Sequence, residues 1–187
     1  MQSTILGIAA GKLYGDTGRT RFDPFTVAMS APDGTIALMS GAGEVNSHFS
    51  VPPYQYQALK TPGVRALLTS TEVMGGPATI TCVFGTVKFH AANPKIIASV
   101  NAAMAEAMDL IAKDRRTAAD LYLKASRDKI SVDDLAAMIA MPGYEFTRTP
   151  NGVSKYAEQM YKTGAIKTQL KDWKEAFFPE AHNLPGN

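Results

Sequence analysis

The sequence predicts an α/β protein, on three observations from its first half: apolar stripes at helical spacing, short β-rich runs between them, and glycine or proline at the junctions. From Ser3 to Tyr14, Ile5, Ala9 and Leu13 recur every fourth residue with Leu6 and Ala10 alongside, which describes one stripe of a helix that Gly15 ends. Pro24 to Ser30 (PFTVAMS) reads as a short strand, Pro32 and Asp33 as a turn and helix start, and Thr35 to Ser40 as a brief helix. Gly41 and Gly43 close that helix. Glu44 to Phe49 alternates like a strand, which Pro52 and Pro53 forbid from continuing because proline fixes φ and lacks the amide donor. Val64 to Thr69 (VRALLT) supplies another strand, so the first seventy residues are expected to share one doubly wound sheet.

Near Ser70 to Pro77 (STEVMGGP) the texture changes. Ala78 to Phe84 reads as a strand with Ile80, Cys82 and Phe84 on one face and Thr79, Thr81 and Val83 on the other, which makes Cys82 a buried, inert thiol. Helices follow. Asn93 and Pro94 cap a long one, running to Lys113, whose Ile97, Val100, Met104, Met108 and Ile111 form a face that must be buried, opposite Lys95, Glu106, Asp109 and Lys113. Arg115 to Ser126 is a second helix, and Ser131 with Asp134 opens a third that carries Leu135, Met138 and Ile139. Thr149, Pro150 and Gly164 bracket a fourth, striped by Val153, Tyr156, Ala157 and Met160. Asp172 to Phe178 adds a last short helix, where Trp173, Phe177 and Phe178 anchor the tail.

Composition excludes several function classes. The 187 residues are 45% hydrophobic and 19% charged, enough for one domain or two small lobes. A formal charge of +2, with both signs interspersed, indicates neither a nucleic-acid footprint nor a polybasic membrane patch. Asn101, Glu106 and Asp109 interrupt the apolar-rich window Ile96 to Ile111, so it does not read as a bilayer span, and no basic region precedes the first apolar run as in a secretory signal. Cys82 is the single cysteine, which excludes an internal disulfide and a Cys-rich metal cluster. His90 and His182 lie far in sequence from each other and from His48, with no pairing motif, so no metal and no cofactor is expected.

The stretch Ser40 to Gln57, SGAGEVNSHFSVPPYQYQ, reads as the wall of a binding cleft. His48, Phe49 and Ser50 fall where a strand ends and a loop begins, and in open α/β sheets ligands collect at the carboxyl ends of strands. A plain strand cap is the alternative. Tyr54 and Tyr56 read as surface or groove residues, and no Ser-His-Asp order, carboxylate pair or phosphate loop points to an enzyme.

That stretch, with GGPATITCVFGTVKFHAANPK and the ending TGAIKTQLKDWKEAFFPEAHNLPG, resembles the ABC-transporter substrate-binding proteins of the nitrate, sulfonate, taurine and thiamine-pyrimidine type. The resemblance implies an incomplete two-lobe, periplasmic binding protein-like (type II) fold with a helical C-terminal region. Residues 1–72 would be most of the second lobe, 73–77 a hinge crossing, and 78–187 the returning strand and C-terminal helices of a first lobe whose N-terminal part is absent. It further implies a periplasmic or lipid-tethered receptor that binds a small anionic or heterocyclic solute and delivers it to an ABC permease. Ligand-binding residues would be Ser3 and Thr4, beside Gln2 at a helix N-terminus that attracts anions; His48, Phe49 and Ser50 as donor, aromatic wall and hydroxyl; and Gly75 and Gly76 at the hinge. Two alternatives accompany it: an enzyme like the thiamine-pyrimidine precursor synthases, and a partial chain without independent function whose uncovered strand edge and helix face drive self-association.

Overall fold

The computed structural model describes residues 1–41, 43–126 and 128–187. Among them the regular structure is entirely helical, with no strand, so the expected α/β two-lobe fold is not the fold of this chain. The runs Pro24 to Ser30, Glu44 to Phe49, Val64 to Thr69 and Ala78 to Phe84 form no ladder. Alternation favours an extended backbone, and Thr26 (φ −103°, ψ 141°) and Thr69 (φ −111°, ψ 153°) have it. A strand, however, needs a neighbour for its N–H and C=O groups, and periodicity does not supply one. The nearest approach to pairing is one backbone bond, Thr79 N–H to Asn151 O at 2.8 Å.

Helices form where the sequence marks their ends. The first, α1 (Gln2–Tyr14), stops at Gly15, whose φ of 75° suits a residue without Cβ. Helix α2 (Ala31–Ser40) begins a turn earlier than expected, because Ser30 Oγ caps the Asp33 amide and Pro32 occupies the first turn. Three short helices carry no clear stripe and escape the sequence reading: α3 (Tyr54–Leu59), which contains Tyr54 and Tyr56, α4 (Ser70–Met74) and α5 (Val87–Ala92). Helix α4 has a full capping box. The Thr69 hydroxyl accepts from the Glu72 amide, and the Glu72 carboxylate accepts from the Thr69 amide at 2.7 Å. Helices α6 (Pro94–Lys113), α7 (Arg115–Ser126), α8 (Val132–Ile139, capped by Ser131) and α9 (Val153–Lys162) follow the periodicity. Trp173–Ala176 forms a turn of 3-10 helix within the expected last helix.

The chain divides into two compact units. One comprises Met1–Ala78, Gly152–Ala176 and Asn187. In it α1 packs on α4 and α9, burying Ile5, Ile8, Val73 and Met74 with Ala9, Ala78 and Tyr156 against them. Met74, 1% exposed, is the centre of that core. Helix α2 packs on α3 in the same unit, and Trp173 is buried there.

The other unit comprises Thr79–Asn151 and Phe177–Gly186. Its helices pack in succession, α5 on α6, α6 on α7 and α7 on α8, around Ala119, Leu135 and Met138. The tail is held by Phe178, stacked on the His90 ring at 4.1 Å, and by Glu180, 2.8 Å from His90 Nε2. Two expectations fail in this unit. Helix α6 has no buried residue: Ile97, Met104, Met108 and Ile111 are half-buried and Val100 is 42% exposed, because its neighbours cover only part of the stripe. Cys82 is exposed rather than buried, since no sheet face exists for it to enter.

Candidate functional site

The residues expected to hold a ligand part into two groups at opposite ends of α1. At its start, Gln2 Nε2 donates to the Phe49 carbonyl at 3.3 Å, so the first turn and the His48–Ser50 segment do meet. Ser3 is exposed and Thr4 half-buried there, and Met1 caps the helix without a side-chain bond. His48 turns instead to α2. Its ring lies so close over Gly34 that a Cβ on that residue would come within 2.5 Å of Cε1. His48 Nε2 and Ser50 Oγ are shielded atoms without a hydrogen-bond partner among the described residues, and Phe49 is 39% exposed. Ala42, in the same sequence stretch, lies outside the described residues.

Gly75 and Gly76 belong to the other end. Gly75 is the left-handed cap of α4, at φ 71°, and a Cβ on it would lie 3.5 Å from Lys155 Nζ. Ten residues of α1, at 1.5 Å rise, put about 15 Å between Gln2 and Lys12, so the two groups are not one cleft.

Beside that second end lies a cavity of about 230 Å³, walled by α1, α4 and α9. Ile8 and Val73 form its apolar wall, and Lys12, Arg19 and Lys155 bring three cations to it. Lys12 Nζ donates to Val73 O at 2.5 Å and Lys155 Nζ to Met74 O, where the last carbonyls of α4 lack helical partners. Each ammonium has two further donors beyond that bond. Arg19 gives Nε and Nη2 to Asp16 Oδ1, at 2.9 and 2.5 Å, and Nη1 to Gln159 Oε1, which leaves two of its five N–H groups. Gln159 is buried at 3% and fits because Gly7 on α1 has no side chain: a Cβ there would meet Gln159 Nε2 at 2.5 Å.

Charge balance leaves the cavity cationic. Among the described residues that line it Glu158 is the only carboxylate, and Lys162 holds it at 2.6 Å. Asp16 stands behind Arg19, whose hydrogen bonds and charge, with the charge of Lys162, hold its carboxyl below the ordinary range. The Tyr156 hydroxyl, on the same helix as Lys155, is shielded and has no hydrogen-bond partner among the described residues, and burial pushes its pKa up.

Sequence reasoning missed Lys12, Arg19 and Lys155. No spacing could reveal them, since Lys155 comes to the others only through the packing of α9 on α1. Among the described residues no cluster of three or more His, Cys, Asp or Glu side chains could hold a metal, and no helix is long and apolar enough to cross a membrane. No protein-family model, curated protein or solved structure matches the chain.

Proposed function

We propose that this chain binds a small anionic solute, held in the cavity between α1, α4 and α9. The observation that carries the reading is the convergence of Lys12, Arg19 and Lys155 on a space of about 230 Å³ whose one lining carboxylate is already paired. Hydrogen bonds from charged donors to an oxyanion are among the strongest available to a protein, and each of these three side chains keeps donors in reserve. The solute classes brought in by the sequence resemblance, sulfonates, nitrate, taurine and pyrimidines, are narrowed by the lining. Among the described residues it includes no aromatic ring on which a pyrimidine would stack, so an inorganic or sulfonate oxyanion suits it better. Delivery to a membrane permease rests on that resemblance alone.

Titration calorimetry with nitrate, methanesulfonate and taurine tests the proposal. One of the three should bind, and Lys12→Ala with Lys155→Ala should weaken it by at least about tenfold, the loss of roughly one charge-assisted hydrogen bond. His48→Ala should leave it unchanged, because His48 belongs to the far end of α1. No heat with any of these anions, or affinity indifferent to both lysines, would overturn the assignment.

A further inference from the structure

The segment Ile80–Gly85 is extended and has no backbone partner among the described residues. It contains neither turn nor bend, every residue from Ile80 to Phe89 is exposed, and its amides and carbonyls make no backbone hydrogen bond to another described residue. Ile80 is 51% exposed, Val83 72% and Phe84 94%, so both faces of the segment are open at once. Backbone groups left in this way form a template for another strand. The residues suit one as well, since Ile, Thr, Val and Phe are strong strand formers.

The exposed area indicates how large the missing cover is. The chain exposes 12843 Å² at 20.0 kDa. A folded monomer of that mass exposes about 8,700 Å², and two separate bodies of half the mass together about 10,500 Å². Even on the second comparison, roughly 2,300 Å² per chain is surplus, which is what each partner contributes to a large obligate homodimer. Charge points to a second copy in an antiparallel sense. No charged residue occurs from Val73 to Val87, while Glu72 stands before that run and Lys88 after it. Antiparallel copies bring the acidic end of one towards the basic end of the other; parallel copies would set like charges together.

We propose that two copies of this chain associate by antiparallel pairing of their Ile80–Phe84 segments about a twofold axis at Cys82. Such an interface is self-complementary: the inner edge of each copy pairs with that of the other, and the outer N–H and C=O groups of both strands stay in water. It also sets Cys82 opposite Cys82 of the second copy. Directly opposed residues in an antiparallel pair have Cα atoms about 4.5–5.5 Å apart, within the range a disulfide bridges.

Sedimentation of the whole chain under reducing conditions, followed by mild oxidation with diamide and a non-reducing gel, tests the proposal. A dimer is expected, oxidation should convert it to a crosslinked pair, and Cys82→Ser should abolish the crosslink while keeping the dimer. Val83→Lys and, separately, Phe84→Lys should raise the dimer dissociation constant at least about tenfold with helical circular dichroism unchanged, because both side chains touch solvent in the monomer. A monomer, a dimer that resists crosslinking at Cys82 or ignores both lysine substitutions, or open-ended higher oligomers would each overturn the twofold pairing.

Discussion

Helices α1 and α6 make opposite use of their apolar residues. Helix α1 has 13 residues, of which Ile5, Gly7, Ile8 and Ala10 are buried; α6 has 20 and buries none. In sequence α6 is the more persuasive, with apolar residues on one face and charge on the other. Helix α1 is less regular in pattern, with Lys12, Leu13 and Tyr14 exposed at its end, and its apolar residues are buried only where neighbours cover them. It has such neighbours in α4 and α9, whereas α6 has α5 and α7 against part of its stripe. Amphipathicity tells which face seeks cover. How much cover exists is decided by elements distant in the chain.

The largest test of this contrast is Met74→Ala. Met74 fills the space between α1 and α4 with 1% of its surface exposed, so the truncation should cost about 2–5 kcal/mol in urea unfolding. A cost below about 1 kcal/mol would mean that the enclosure of α1 is loose. Next comes Thr69→Ala, which removes the cap of α4 and with it the footing of the α1 core; about 1 kcal/mol is expected in the same measurement.

The same cap also has a pH signature. Hydrogen bonds from the Thr69 hydroxyl and amide hold the Glu72 carboxyl below its ordinary value of 4.5. A folded pKa lowered in this way contributes stability that is fully present above about 4.5 and is lost as pH falls through the folded value. Urea midpoints across the acid range should therefore fall less steeply in Thr69→Ala than in the parent. Equal slopes would separate Glu72 from the cap. The smallest effect belongs to α6: Val100→Lys, at a position 42% exposed, should change stability by no more than about 0.5 kcal/mol. A larger loss would show that the stripe of α6 is covered in solution after all.

Legibility followed the range of the interactions. Ser131 and Gly15 announce helix ends through bonds and dihedrals a few residues away, and those ends lie where the residues place them, whereas Ser30, expected to end a strand, caps α2 a turn early. The brief helices α3, α4 and α5 were illegible because five or six residues carry too little periodicity, and α4 owes its place to packing against α1. Of the candidate ligand residues, Gln2 in the first turn of α1 meets the Phe49 carbonyl, and Gly75, expected at a hinge, is the left-handed cap of α4. The cationic cavity was not, because Lys12, Arg19 and Lys155 are ordinary surface residues until α9 is laid beside α1.

By itself the amino-acid order determined the longer helices, their caps, the near-neutral charge and the presence of β-prone runs such as ITCVF. Tertiary structure decided that those runs form no sheet among the described residues, that α1 rather than α6 enters a core, and that three cations separated by up to 143 positions share one cavity. The physical reason is reach. Caps, propensities and dihedral limits act within a turn or two of helix, whereas ladders, burial and charge clusters need partners that only the folded chain brings together.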